Sequence, residues 1–224
     1  MATRAGHRLD AWLALLLVLL AAGAIAGASV EGLRWLHYLC KPAAMLAIIA
    51  SAARGRHGPY RSWILAGLLL SLLGDIFLML PVDAFVPGLA AFLLAHLAYI
   101  VALRRDLGAA QLWWSAPLLA VYAAANLAGL WPHLPAPLRV PVIAYTVVLA
   151  SMAAIALARA GHAPRGAGRG PRMAALGALL FVASDSLLAW DRFAGPLPYA
   201  IAGVLASYYA AQWCIASSIP RARD

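Results

Sequence analysis

Eight stretches of this chain stay apolar for about 20 residues at a time, the length at which a helix crosses a hydrocarbon core. Read between Gly, Pro and Arg punctuation, they fall at 12–30, 35–53, 62–80, 84–103, 112–130, 138–158, 173–190 and 197–219. With 224 residues in all, little remains besides short connections. Composition agrees: 65% of residues are hydrophobic and 11% charged, against about half and about a quarter in soluble domains. The expected fold is therefore an all-α polytopic membrane protein of eight transmembrane helices, one integral membrane domain over 1–224. A separate soluble catalytic domain is excluded.

Formal charge is +9, carried by sixteen arginines and one lysine against eight acidic residues. The arginines do not form one run that would suit nucleic acid. They alternate between connections: thirteen fall at the N-terminus, every second loop and the C-terminus, whereas the other side holds Arg34, Arg139 and Arg192. This asymmetry predicts both termini in the cytoplasm and an even number of spans. Arg4 and Arg8 followed by an apolar run and Ala26-Gly27-Ala28 also suit a signal peptide, the second reading of the first block. The longest polar loop, Arg159 to Arg172, is rich in Gly and Pro and reads as a cytoplasmic linker. Arg-rich, Lys-poor, Ala-rich usage suggests a GC-rich bacterial genome, hence an inner membrane.

A short internal echo relates Ser71-Leu-Leu-Gly-Asp75-Ile-Phe-Leu78 to Ala183-Ser184-Asp185-Ser-Leu-Leu188. The two segments run in the same direction, which predicts a parallel four-plus-four repeat. Chance similarity between Leu/Ala-rich helices is the other explanation.

The informative residues are those hydrocarbon should reject: Lys41, Asp75, His96 and Asp185. A charge near the middle of a span costs about 2.5–3.5 kcal/mol even on the lenient insertion scale. Counted from the span ends, Lys41, Asp75 and Asp185 lie in one layer, roughly 8–9 Å inside the outer boundary. His96, Tyr99, Asn126, Tyr145, Tyr208 and Gln212 lie at that depth or nearer the centre. Spacings of three or four residues, as in His37/Lys41, Ser71/Asp75, His96/Tyr99 and Tyr208/Gln212, put each pair on one helix face. The expectation is a polar chamber opening toward the outer leaflet. For Ser71, Ser184, Asn126 and Tyr145 the simpler role is interhelical glue.

Glue does not require Asp, because Ser or Asn serves without the risk of a buried charge. Two carboxylates in one dry chamber cannot both ionise easily, so their titrations couple and leave a proton donor beside an acceptor. That arrangement suits general acid/base hydrolysis by Asp75 and Asp185. Lys41 then serves as a counter-ion, an anchor for an anionic head group, or a plain ion-pair partner. A multi-His zinc hydrolase is disfavoured, since His96 is the only central histidine and His7, His57, His133 and His162 fall outside the spans. Cys40 and Cys214 lie in apolar blocks with no acid/base pattern beside them and read as packing. No nucleophile elbow, metalloprotease motif or phosphate loop occurs.

Taken in order, Lys41-Pro42, Ser-Leu-Leu-Gly-Asp (71–75) with Phe77 and Leu78, Phe92-x-x-x-His96-x-x-Tyr99, Pro141 to Tyr145, Ser184-Asp185-x-x-Leu188-Ala189 and Tyr208-x-x-x-Gln212 resemble the YhhN-type lysoplasmalogenase family, from about residue 35 to 217. The resemblance implies an eight-span membrane enzyme that hydrolyses the vinyl-ether bond of lysoplasmalogens to a fatty aldehyde and glycerophosphoethanolamine or glycerophosphocholine. It implies Asp75 and Asp185 as the catalytic aspartates, with Lys41, Ser71, His96, Tyr99, Tyr145, Ser184, Tyr208 and Gln212 binding substrate or supporting the site. No metal or cofactor is implied; the expected partners are a lysophospholipid substrate and membrane lipid. The competing class is a proton-coupled transporter or binder of a lipid or small solute, since intramembrane charges also mark transport pathways.

Overall fold

The computed structural model describes residues 2–221, which form eight α-helices: α1 Ala2–Ser29, α2 Arg34–Ala53, α3 Pro59–Met79, α4 Phe85–Leu103, α5 Ser115–Leu130, α6 Arg139–Gly161, α7 Gly170–Phe193 and α8 Ala200–Ser217. Proline marks the beginnings of five of them. Pro59, Pro87, Pro117, Pro141 and Pro171 each fall within the first three residues of a helix, where the missing N–H would have had no intrahelical partner. This is why α7 begins at Gly170, ahead of the expected 173. The start of α8 is later than expected, at Ala200, because Tyr199 adopts a left-handed backbone (φ 58°) that breaks any earlier helix.

Among the described residues, six segments are long and apolar enough to cross a membrane: Ala11–Ser29, Arg34–Ala53, Pro59–Met79, Phe85–Leu103, Ala136–Gly161 and Gly170–Phe193. The remaining helices differ for separate reasons. At 16 residues α5 is short, and α8 carries Ser207, Tyr208, Tyr209, Gln212 and Ser217 within 18 residues. The chain is thus an all-α polytopic membrane protein.

Helix neighbours define a closed ring. In order, α2 packs on α3, α3 on α4, α4 on α6, α6 on α7, α7 on α8, and α8 returns to α2. Outside it, α1 lies against α2 and α8, and α5 lies against α6 and α7. The tightest hairpins are α3–α4 and α7–α8, and small residues allow their approach. A Cβ on Gly177 of α7 would sit 2.7 Å from the Ala211 carbonyl oxygen of α8, a distance that only glycine permits. The core is mainly apolar, but the outer surface is apolar as well and the interior admits a few polar groups. Large aliphatic side chains such as Leu19, Leu69, Leu94, Val121 and Val147 are exposed, whereas Lys41, Ser71, Asp75, His96, Ser184 and Gln212 are buried.

Candidate functional site

Each of the six ring helices contributes at least one of the polar side chains that the sequence singles out: Lys41 from α2, Asp75 from α3, His96 and Tyr99 from α4, Tyr145 from α6, Ser184 and Asp185 from α7, Tyr208 and Gln212 from α8. The ring helices, together with α5, border a cavity of about 400 Å³ whose wall includes Lys41, Asp75, Tyr145, Ser184, Asp185 and Tyr208. Both aspartates therefore face one space. The rest of the wall is largely aliphatic, with Leu119 and Leu127 from α5, Leu149 from α6, Val182 from α7 and Leu205 from α8.

The two carboxylates have different surroundings. Asp75 is 2% exposed; its Oδ1 lies 3.1 Å from Lys41 Nζ and its Oδ2 accepts a hydrogen bond from the Tyr208 hydroxyl at 2.6 Å. Both of its oxygens are engaged. Asp185 is half-buried and accepts from the Tyr145 hydroxyl through Oδ2. Its other oxygen has no hydrogen-bond partner among the described residues, and no cation forms an ion pair with it there. One aspartate is thus neutralised in place while the other keeps an open oxygen in the cavity.

Other members hold the frame. His37, one turn before Lys41, donates from Nδ1 to the Ala24 carbonyl at 2.9 Å, tying α2 to α1. Ser184 donates to the Val204 carbonyl at 3.0 Å across α7–α8. Ser71 is fully buried one turn before Asp75. Tyr99 donates to Gln212 Oε1 at 2.7 Å, joining α4 to α8. Tyr99, Gln212, Ser71 and His96 are not on the cavity wall. His96 lies behind it, with ring centroids 4.5 Å from Phe181 and 5.3 Å from Tyr145, and neither ring nitrogen has a partner among the described residues.

A second polar cluster on the wall is only partly legible in the sequence. Asn126 of α5 donates to Ser186 Oγ at 2.9 Å and accepts from Trp190 Nε1 at 2.6 Å, while the Tyr122 hydroxyl lies 2.9 Å from the same Ser186 oxygen. Tyr122 precedes Asn126 by one helical turn and Ser186 follows Asp185, and those spacings are the available signals. At the rim, Arg192 is ion-paired with Asp83 at 3.1 Å and stands over the Phe85 ring, 4.0 Å from its centroid. Arg192 reaches the cavity, unlike Arg34 and Arg139. Among the described residues no cluster of His, Cys, Asp or Glu can hold a metal ion.

Fold and site together define a class: a polytopic helical membrane protein with three acidic side chains, Asp75, Asp185 and Asp191, on a mostly apolar cavity. The chain belongs to the YhhN family, whose sequence profile matches residues 36–219. It is 38% identical over 182 residues to the lysoplasmalogenase TMEM86B of Sus scrofa, covering 80% of this chain and 73% of that protein. It is 39% identical over 165 residues to lysoplasmalogenase TMEM86B of Homo sapiens, covering 73% of this chain and 66% of the relative. Against the lysoplasmalogenase of Mycobacterium tuberculosis the identity is 37% over 169 residues, covering 70% of this chain and 61% of the relative. No solved structure matches the chain.

Proposed function

We propose that this protein is a membrane-embedded hydrolase that cleaves the vinyl-ether bond of lysoplasmalogens, releasing a fatty aldehyde and a glycerophospho-ethanolamine or -choline, with Asp75 and Asp185 as its catalytic residues. The observation that carries this reading is that both aspartates, from α3 and α7, line one cavity of about 400 Å³. Relatives named lysoplasmalogenase support the substrate class.

The unequal surroundings of the carboxylates support a division of labour. Asp185, with an open oxygen and no paired cation, is the proton donor. It gives its proton to the alkene carbon distal to the ether oxygen, and the adjacent carbon becomes an oxocarbenium centre. Asp75, held as a carboxylate by Lys41 and Tyr208, stabilises that cation by its charge. Water adds to the cation, its surplus proton returns to Asp185, and the hemiacetal collapses to aldehyde and alcohol. Glycosidase carboxylates share an oxocarbenium-like transition state. Tyr145 and Tyr208 orient the two carboxylates; Ser71, Ser184, His96, Tyr99 and Gln212 hold the helices that carry them. Arg192 suits the substrate phosphate, because it reaches the cavity from the rim and can exchange its exposed partner Asp83 for the phosphodiester.

The arrangement belongs to one domain of eight spans, with the arginine-rich end and both termini in the cytoplasm and the inner membrane of a bacterium as its location. The order of helix contacts supports a four-plus-four repeat: α1 and α5 both stand outside the ring, and the strongest hairpins, α3–α4 and α7–α8, occupy equivalent places.

The decisive measurement is aldehyde release from a lysoplasmalogen by the purified full chain in detergent, with no gradient across any membrane. Asp185→Asn should lower kcat by at least about 100-fold with Tm little changed, and Asp75→Asn should lower kcat as much while also lowering Tm, because it leaves Lys41 unmatched. Full activity in both variants would overturn the mechanism. If the wild type released no aldehyde yet moved the lipid across liposomes, the transporter reading would replace it.

A further inference from the structure

The end of the bundle opposite Arg192 has its own cavity, also of about 400 Å³, and its lining is basic. Four arginines meet there from four separate segments: Arg56 from the α2–α3 connection, Arg61 from α3, Arg105 just past α4, and Arg159 from α6. His57 joins them, and among the described residues no acidic side chain lines the space. Ordinary loop arginines that orient a membrane chain only need to reach water or head groups. Arg165 and Arg169, in the α6–α7 connection at the same end, do that and stay off this cavity. Convergence on a concave space requires a further reason.

The cavity is also pre-formed. Gly58 and Pro59 line it where α3 begins, and no side chain caps that helix's first turn, so its partial positive charge adds to the arginines. The connection before it is pinned by the Arg56 N–H donating to the Pro220 carbonyl at 2.8 Å. Arg159 stands over the Tyr60 ring, 4.6 Å from its centroid, and the Tyr60 hydroxyl lies 2.6 Å from Ser218 Oγ. Arg61 donates from Nη1 to His57 Nδ1 at 2.6 Å, while its Nε is buried with no partner among the described residues. Cations held this close together repel one another, and an anion with several oxygens removes that cost.

We infer that this basic cavity is a binding site for a phosphate group, distinct from the acidic cavity and independent of the hydrolysis assigned to it. Guanidinium forks match phosphate oxygens two at a time, and the volume lies within the usual range for small-ligand pockets, about 300–1,000 Å³. A phosphate alone is smaller than this space, which leaves room for the glycerol of a phospholipid head group.

The test uses the purified full chain in neutral detergent, with dihexanoyl phosphatidylglycerol, dihexanoyl phosphatidylcholine and inorganic phosphate as separate probes, reading Tm and Kd. Phosphatidylglycerol should raise Tm saturably. The exposed pair Arg56→Gln with Arg105→Gln should weaken its Kd about 25-fold, from about fivefold per arginine, while Arg165→Gln with Arg169→Gln, an equal loss of charge outside the cavity, should leave Kd unchanged. If the first pair impaired folding, Arg105→Gln alone, at about fivefold, carries the same comparison. A saturable response to inorganic phosphate, lost in the same variant, identifies the phosphate as sufficient; a response to phosphatidylglycerol alone identifies a lipid head group. Equal weakening by both double variants, equal response to phosphatidylcholine, or no saturable response to any probe overturns the site. None of these readouts depends on aldehyde release.

Discussion

Lys41 and Asp75 are 7% and 2% exposed and form an ion pair within the helix ring. Removing one member of such a pair leaves the other charge buried and unmatched, at a cost of about 3–5 kcal/mol. Lys41→Met should therefore lower Tm in detergent sharply, and adding Asp75→Asn to it should recover most of the loss without restoring hydrolysis. If the single variant melted like wild type, the pair would have no structural role. Tyr208→Phe tests the other oxygen of Asp75. It should cost about 1–3 kcal/mol for the unsatisfied acceptor and reduce kcat more than it alters KM. Gly67 shows how closely the supporting residues are fitted, because a Cβ there would lie 2.2 Å from Tyr99 Cε1. Gly67→Ala should destabilise by about 1–3 kcal/mol, readable as a lower Tm, by displacing the ring that reaches Gln212.

Among the elements, the α7–α8 hairpin carries the largest share of the site: Ser184 and Asp185 on one helix, Tyr208 on the other. Its spacing is set by backbone contact at Gly177, where the obstructing atom is the Ala211 carbonyl oxygen and cannot rotate away. Gly177→Leu should force the two helices apart, so that both Tm and kcat fall. Unchanged kinetics in a folded Gly177→Leu protein would mean that hairpin spacing does not set the site. The contribution of α5 is different. From outside the ring it supplies Tyr122 and Asn126 to the cavity wall and bonds to Ser186 and Trp190 of α7.

On the scale of the whole molecule, the two cavities lie at opposite ends of an up-and-down bundle. One is lined by the second halves of α3 and α7 and the first halves of α4, α6 and α8; the other by the opposite ends of α3, α4, α6 and the tail after α8. Both native cysteines are buried, which leaves room for labelling of introduced ones. Gly108→Cys before α5 and Pro135→Cys after it should react with an impermeant thiol reagent from opposite faces of sealed vesicles. Labelling of both from one face would remove α5 from the set of spans.

Much of this was legible in one dimension, for a physical reason: hydrocarbon demands about 20 apolar residues per crossing and penalises every charge placed inside it. The eight helices and the inward faces of α2, α3 and α8 follow from length, spacing and that penalty. Helical phase says which way a side chain points along its own element but not which neighbour it meets. Only the packing of α2 beside α3 and α8 made Lys41 the partner of Asp75 and gave Tyr208 to the same carboxylate. Only the packing of α4 against α6 and α7 put His96 behind Tyr145 and Phe181, off the cavity wall. The residues capable of the chemistry were set by composition along the chain; their unequal surroundings were decided by contacts between helices distant in sequence, which no local pattern encodes.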